Sequence, residues 1–262
     1  MDLLQRLTNA TSDEERQLIV LEFSLSALPE AVQTAVQAAA IPHWFDALFL
    51  DALLEDDVRE AFKSQDGFET LVALNFVELT PGRGYSIHEQ TRQLLLKQLW
   101  QKETRSHFRT LSRRAADYCK TQNLDDPEWQ IERIYHLLVG DPSVGSAELR
   151  QALAHWYRFD QQAYEQAERL LRVAREHADA ERILNNEAGW VRMWQANINL
   201  LYKKSKSAAA QLEQVNWENE DSSTTETPFQ EQQKLLLQAA YYSTSGELNE
   251  QDNNIPEALT AY

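Results

Sequence analysis

The residues of this 262-residue chain that could do chemistry are six histidines, one cysteine, the serines and threonines, and 41 carboxylates. His43, His88, His107, His136, His155 and His177 never fall in an H-E-x-x-H or comparable ligand spacing, so the sequence offers no metal site on one helix face. Cys119, in ADYCK, is the only cysteine. That excludes an internal disulfide and a cysteine-based zinc site, and it reads as a small buried hydrophobe. Serine and threonine cluster in residues 216–228, away from any glycine elbow, and no carboxylate pair stands out as an acid and its base. The seven glycines are too scattered for a G-x-x-x-x-G-K-[ST] loop, so no backbone cradle for phosphates is encoded.

Two constellations remain. In GYSIHEQTRQLLLKQL, His88-Glu89 stands where a strand turns into a helix. Free N–H groups at a helix start, with an imidazole donor beside them, can meet a phosphate. Alternatively, Glu89 satisfies the helix start and His88 is a wedged, half-buried residue. Trp190 and Trp194 are spaced i, i+4, which places both on one helix face. Exposed in a groove they would anchor a partner peptide; buried, they pack one helix on another. These residues call for no catalytic group, no metal and no cofactor.

The elements that must position them are mostly helices. TSDEERQLIVLEFSLSAL starts with a cap at Thr11 or Ser12 and acids in its first turn. LPEAVQTAVQAAAIP, HWFDALFLDALLEDD, DVREAFKSQ and GFETLVALNFV follow as helical stretches. FVELTPGRGYSIH then reads as two short strands around Pro81-Gly82-Arg83-Gly84. Helices followed by a hairpin are the order of a winged-helix domain, placed here at residues 26–100 after an N-terminal helical segment, 1–25. A helical linker, 101–145, includes WQIERIYHLLVG with Gly140 as its C-terminal cap. Residues 146–262 read as paired helices, apart from the acidic, polar stretch 216–228, which reads as an exposed loop.

Those pairs carry a degenerate tetratricopeptide pattern. Ala239, Tyr242 and Gly246 fit the first helix of a repeat, and Ala258 and Tyr262 the second. Ala208, Leu212 and Val215, and before them Ala167, Leu171 and Ala174, resemble second helices of earlier units. Their spacing exceeds the usual period of about 34 residues. Because each repeat needs its neighbour, a last repeat cut short at Tyr262 suggests a fragment of a longer protein. The expected fold is therefore mostly α: a winged-helix domain with one short β-hairpin, then antiparallel helix pairs in a tetratricopeptide-like α-solenoid.

Charge narrows the partners. The net charge is −16, yet residues 83–120 carry 9 basic and 3 acidic groups, a local +6. The helix before the hairpin, which would read DNA, holds Asp66 and Glu69 and no cation, and would be pushed from a major groove. Arg92, Lys102, Arg105, Arg109, Arg113 and Arg114 read as a solvated or acid-paired face. DNA binding is thus the alternative function rather than the main one, and nucleic acid is not an expected partner. No stretch reaches about 18 consecutive apolar residues, and the first residues lack a signal peptide's basic and apolar regions, so the compartment reads as cytoplasmic with no membrane partner.

In this order the pieces resemble the C-terminal part of STAND-type signalling NTPases, the relatives of NB-ARC and NACHT proteins. SLSALPEAVQTAVQAAAIPHWFDALFLDALL is similar to the start of their winged-helix domain, GYSIHEQTRQLLLKQL to its end, and RRAADYCKTQ with RIYHLLVGDP to the linker before their sensor repeats. The resemblance implies that His88 contacts the β-phosphate of ADP, with Ile-His-Glu standing for Met-His-Asp. The missing phosphate loop departs from the family, so that contact would need an upstream or separate nucleotide-binding domain. What remains is a non-catalytic interaction or adaptor module, with a protein or peptide in the repeat groove and Trp190, Trp194 and Tyr242 as contact residues.

Overall fold

The computed structural model describes residues 3–123, 125–159, 163–215 and 228–251. The chain is mostly helical, with one two-stranded antiparallel hairpin among these residues, and it divides into two compact units, Met1–Gln122 and Asn123–Tyr262. The stretch 216–227, read from sequence as a loop, and the repeat residues Ala258 and Tyr262 lie outside the described residues.

The first unit opens with α1 (Leu3–Asn9) and α2 (Asp13–Ser26). Ser12 rather than Thr11 caps α2: its hydroxyl accepts from the Glu15 N–H at 3.1 Å, while the Thr11 N–H donates to Glu15 Oε2 at 2.7 Å. This reciprocal pattern satisfies donors that a helix start leaves open, and it holds the Glu15 carboxyl below the usual carboxylate range. Next come α3 (Glu30–Ala39), α4 (Ala47–Leu53), α5 (Asp56–Ser64) and α6 (Gly67–Val72). Val32, Ala35, Val36 and Ala39 recur at i, i+3, i+4 and i+7, and all are buried. α3 packs against α4, α5 and α6.

The hairpin pairs β1 (Val77–Thr80) with β2 (Gly84–Ile87), in register Val77 to Ile87 through Thr80 to Gly84. Gly82 and Gly84 take φ of +76° and +99°, which glycine adopts without strain. At Gly84 a Cβ would also lie 2.4 Å from the Phe45 carbonyl oxygen, because Phe45 extends the hairpin by a single residue. Its N–H and carbonyl exchange bonds of 2.7 and 2.8 Å with Tyr85. Sequence periodicity does not find a one-residue strand.

α7 (Glu89–Leu99) and α8 (Arg105–Lys120) complete this unit. α7 is tied to α2 by Lys97 on Glu14 at 2.6 Å and Gln98 on Glu22 at 2.8 Å. α8 lies on α4, where Tyr118 stacks on Phe49 with ring centroids 4.5 Å apart, and Arg114 donates to the Leu53 carbonyl at 2.9 Å.

The second unit holds α9 (Pro127–Gly140), α10 (Pro142–Phe159), α11 (Tyr164–Asp179), α12 (Asn185–Leu201), α13 (Ser205–Leu212) and α14 (Pro228–Gln251). α9 packs on α10 and α11, α11 on α12, and α12 on α13 and α14. Gly140 is not the left-handed cap that its position suggests. It stays helical, and Asp141, the only residue between α9 and α10, caps α9. Such a short joint requires close approach: a Cβ on Gly145 would lie 2.5 Å from both Leu137 C and Leu138 N. Of the residues that fit the repeat pattern, Ala167, Leu171, Ala174, Ala208, Leu212 and Val215 are buried. In α14 the pattern breaks, since Gly246 is buried but Ala239 and Tyr242 face outward.

Candidate functional site

His88 sits where β2 hands over to α7. Its backbone holds the junction, donating from N–H to the Phe76 carbonyl at 2.8 Å and accepting from the Arg92 N–H at 2.9 Å. The side chain makes no cap; it is about half exposed, with Nε2 3.3 Å from Glu78 Oε2 on β1. A carboxylate at that distance opposes an incoming phosphate.

One turn further on, Arg92 differs from the solvated role expected of it. It is 1% exposed, with Nε donating to the Ala40 carbonyl at 3.1 Å and Nη2 reaching the Ile41 carbonyl at 3.4 Å. Its guanidinium thus closes the C-terminal end of α3, where open carbonyls and the helix dipole favour a cation. Glu89 is 3.8 Å away and mostly exposed.

Trp190 and Trp194 share a face of α12, but that face is turned inward. Trp190 is buried with Met193 and Leu237, and Trp194 and Ala240 pack on this cluster. The packing reading therefore holds for Trp190, and Trp194 is half-buried. Tyr242 is 56% exposed, its ring edge-on to Tyr241 at 5.7 Å. The structure does not gather the three into one contact surface: Tyr242 points away from the cluster that holds the tryptophans.

Around Trp190 lies a polar group that the sequence did not single out. The Arg150 guanidinium from α10 stands 5.1 Å from the Trp190 ring centre. Glu187 is within its electrostatic reach, and burial pushes the Glu187 carboxyl above the usual carboxylate range, against the pull of Arg150. Glu187 Oε2 and Trp190 Nε1 are buried without a hydrogen-bond partner. A carboxyl with a raised folded-state pKa takes up its proton more readily folded than unfolded, so its contribution to stability grows as pH falls through that pKa. Glu187→Gln is expected to be more stable than the parent at pH 7 and to lose that advantage by about pH 4, near the unfolded value. Thermal unfolding at both pH values checks this, and a variant less stable at pH 7 would show that the charged carboxylate is net stabilising.

A second buried group joins α9 to α11. His136 Nε2 is 3.1 Å from Glu132 Oε1, the Tyr135 and His177 rings stack at 4.0 Å, and His177 Nε2 is 3.1 Å from the Tyr135 carbonyl oxygen. All four residues are at most 3% exposed, so no substrate reaches them and they pack two helices together.

One open cleft among the described residues of this unit, of about 530 Å³, runs along the α9–α10 hairpin, within the rough 300–1,000 Å³ range of ligand sites. α9 contributes Gln130 and Arg133 at i, i+3. α10 contributes Glu148, Gln151, Ala152, His155 and Trp156 from one face. Arg133 and Glu148 bridge the helices in a two-pronged ion pair, one prong at 2.8 Å, which cancels the charge of the lining. Two amides, an exposed imidazole and the flank of a buried indole complete the lining. The sequence did not single out His155 and Trp156 as a site, because the facing Gln130 and Arg133 lie on another helix.

No protein family, curated protein or solved structure matches the chain. Among the described residues, no helix is long and apolar enough to cross a membrane, and no three His, Cys, Asp or Glu side chains stand together to hold a metal ion.

Proposed function

We propose that the chain is a non-catalytic interaction module of STAND-like architecture, a winged-helix adaptor followed by helical repeats, which takes a protein segment in the α9–α10 cleft. The observation that carries this reading is the lining of the cleft. Gln130 and Gln151 each offer a donor and an acceptor, as a peptide backbone does, and the one ion pair is internally neutral. No uncompensated cation is left there for a phosphate, and no nucleophile stands beside a base. The winged-helix reading is supported by the succession of helices before the hairpin and by the bridge from Phe45 to Tyr85. Against DNA as the ligand, α6 turns Glu69 to solvent, with Asp66 exposed at its start.

Peptides selected by display on the full chain are expected to lose about tenfold in affinity to the Gln151→Ala, His155→Ala double variant, as two lost polar contacts would cause. Peptides that bind that variant as well as the parent would place the site elsewhere. Isothermal titration with ADP·Mg²⁺ is expected to give no heat. Binding that His88→Ala weakens would overturn the adaptor reading in favour of a nucleotide site.

A further inference from the structure

The local surplus of positive charge after the hairpin has a structural focus at the corner between α7 and α8. Trp100 ends α7, and its ring is held edge-on by buried Phe108, with centroids 5.4 Å apart. Two guanidiniums rest on this one indole: Arg105 is 4.7 Å and Arg109 5.6 Å from its centre. The two arginines are spaced i, i+4, about 6 Å along the helix, so both reach the one indole from the same face of α8. Lys102 is exposed in the same corner.

Like charges brought together on one ring repel each other unless something compensates them. Several other arginines that leave solvent have an acid partner: Arg114 has Glu55, Arg133 has Glu148 and Arg192 has Asp179. Among the described residues, no carboxylate pairs with Lys102, Arg105 or Arg109, and Arg109 Nε is buried with no hydrogen-bond partner. A cation–π contact fixes the plane of a guanidinium while leaving its outer N–H groups free. Two such planes on one indole form a preorganised fork for the oxygens of a compact dianion.

From this arrangement we infer that the Trp100 corner binds a phosphate monoester carried on a peptide, with Arg105 and Arg109 as the fork and Lys102 as a supporting charge. A phosphoserine or phosphothreonine carries close to two charges at pH 7, which matches the two guanidiniums. A longer polyanion is a poorer match. Residues 1–82, the rest of the same unit's sequence up to the hairpin turn, carry 4 basic and 15 acidic groups and repel an extended nucleic acid beyond the corner.

The test is fluorescence anisotropy of the full chain with a labelled phosphoserine peptide, its unphosphorylated twin, inorganic phosphate as competitor and a single-stranded oligonucleotide. The phosphopeptide is expected to bind at least tenfold more tightly than its twin. Binding should weaken by about tenfold in each of Arg105→Gln and Arg109→Gln, and Arg105→Lys should recover only part, since an ammonium lacks the planar fork. It should also weaken as pH falls through about 6, where the phosphate loses its second charge. Arg105 is exposed, so Arg105→Gln is expected to leave the thermal unfolding unchanged and to separate loss of binding from loss of folding. Equal binding of phosphopeptide and twin, or no effect of Arg105→Gln, would overturn the inference. Competition by free phosphate as effective as by the peptide would overturn the peptide part, and tighter binding of the oligonucleotide would assign the corner to nucleic acid instead.

Discussion

Arg92→Ala is expected to cost the first unit about 3–5 kcal/mol, from the loss of charge-assisted hydrogen bonds to buried carbonyls together with the cavity left by a large side chain. The guanidinium is 1% exposed and lies on the Ala40 and Ile41 carbonyls at the end of α3. Truncation leaves those carbonyls without their charged donor and opens a cavity where one of the largest fully buried side chains had been. Arg92→Met separates the two effects, since it restores most of the volume and none of the donors. If the hydrogen bonds dominate, methionine recovers less than half of the loss. Urea unfolding gives the totals, and amide exchange in α3 and α7 shows whether the damage starts where the guanidinium was. A loss under about 1 kcal/mol, the size of one ordinary hydrogen bond, would show that α3 and α7 are held by their apolar faces alone.

The second large effect is expected at Gly145. A helix normally gains about 1 kcal/mol when alanine replaces glycine. Here the sign reverses, because the new Cβ would lie 2.5 Å from two backbone atoms of α9, which cannot rotate away as a side chain could. Overpacking of this kind costs about 1–3 kcal/mol, and more for a branched residue. Gly145→Ala is therefore expected to be net destabilising, and Gly145→Val to lose about 3 kcal/mol or more. The strain acts on the helix pair that forms the proposed peptide cleft, so selected peptides should bind Gly145→Ala more weakly even where it is fully folded. A more stable Gly145→Ala would mean that α9 and α10 have room to part.

These two positions differ in how far the sequence could reveal them. Gly145 is one of seven glycines, and the pattern around it already marks the boundary between two helical stretches. What the pattern lacks is the distance to α9, so α10 reads as starting at Ser146 when it begins at Pro142. Arg92 falls within a basic run and reads as surface. Its burial depends on where α3 ends, some fifty residues earlier in the chain.

The sequence by itself determined what is local. The acids and hydroxyls of Thr11–Glu15 start a helix, Pro81-Gly82-Arg83-Gly84 turns a hairpin, and i, i+3, i+4 apolar spacing marks the buried face of α3. Each of these is set by backbone dihedrals or by side chains within about one helical turn. Tertiary structure alone decided which faces meet. It buried Trp190 while leaving Tyr242 outside, joined Phe45 to Tyr85, and built the cleft from two helices whose lining residues look unremarkable apart. It also left the two guanidiniums on Trp100 with no carboxylate among the described residues. Burial and ion pairing depend on neighbours far away in the chain, and periodicity within one helix names the face but not the partner.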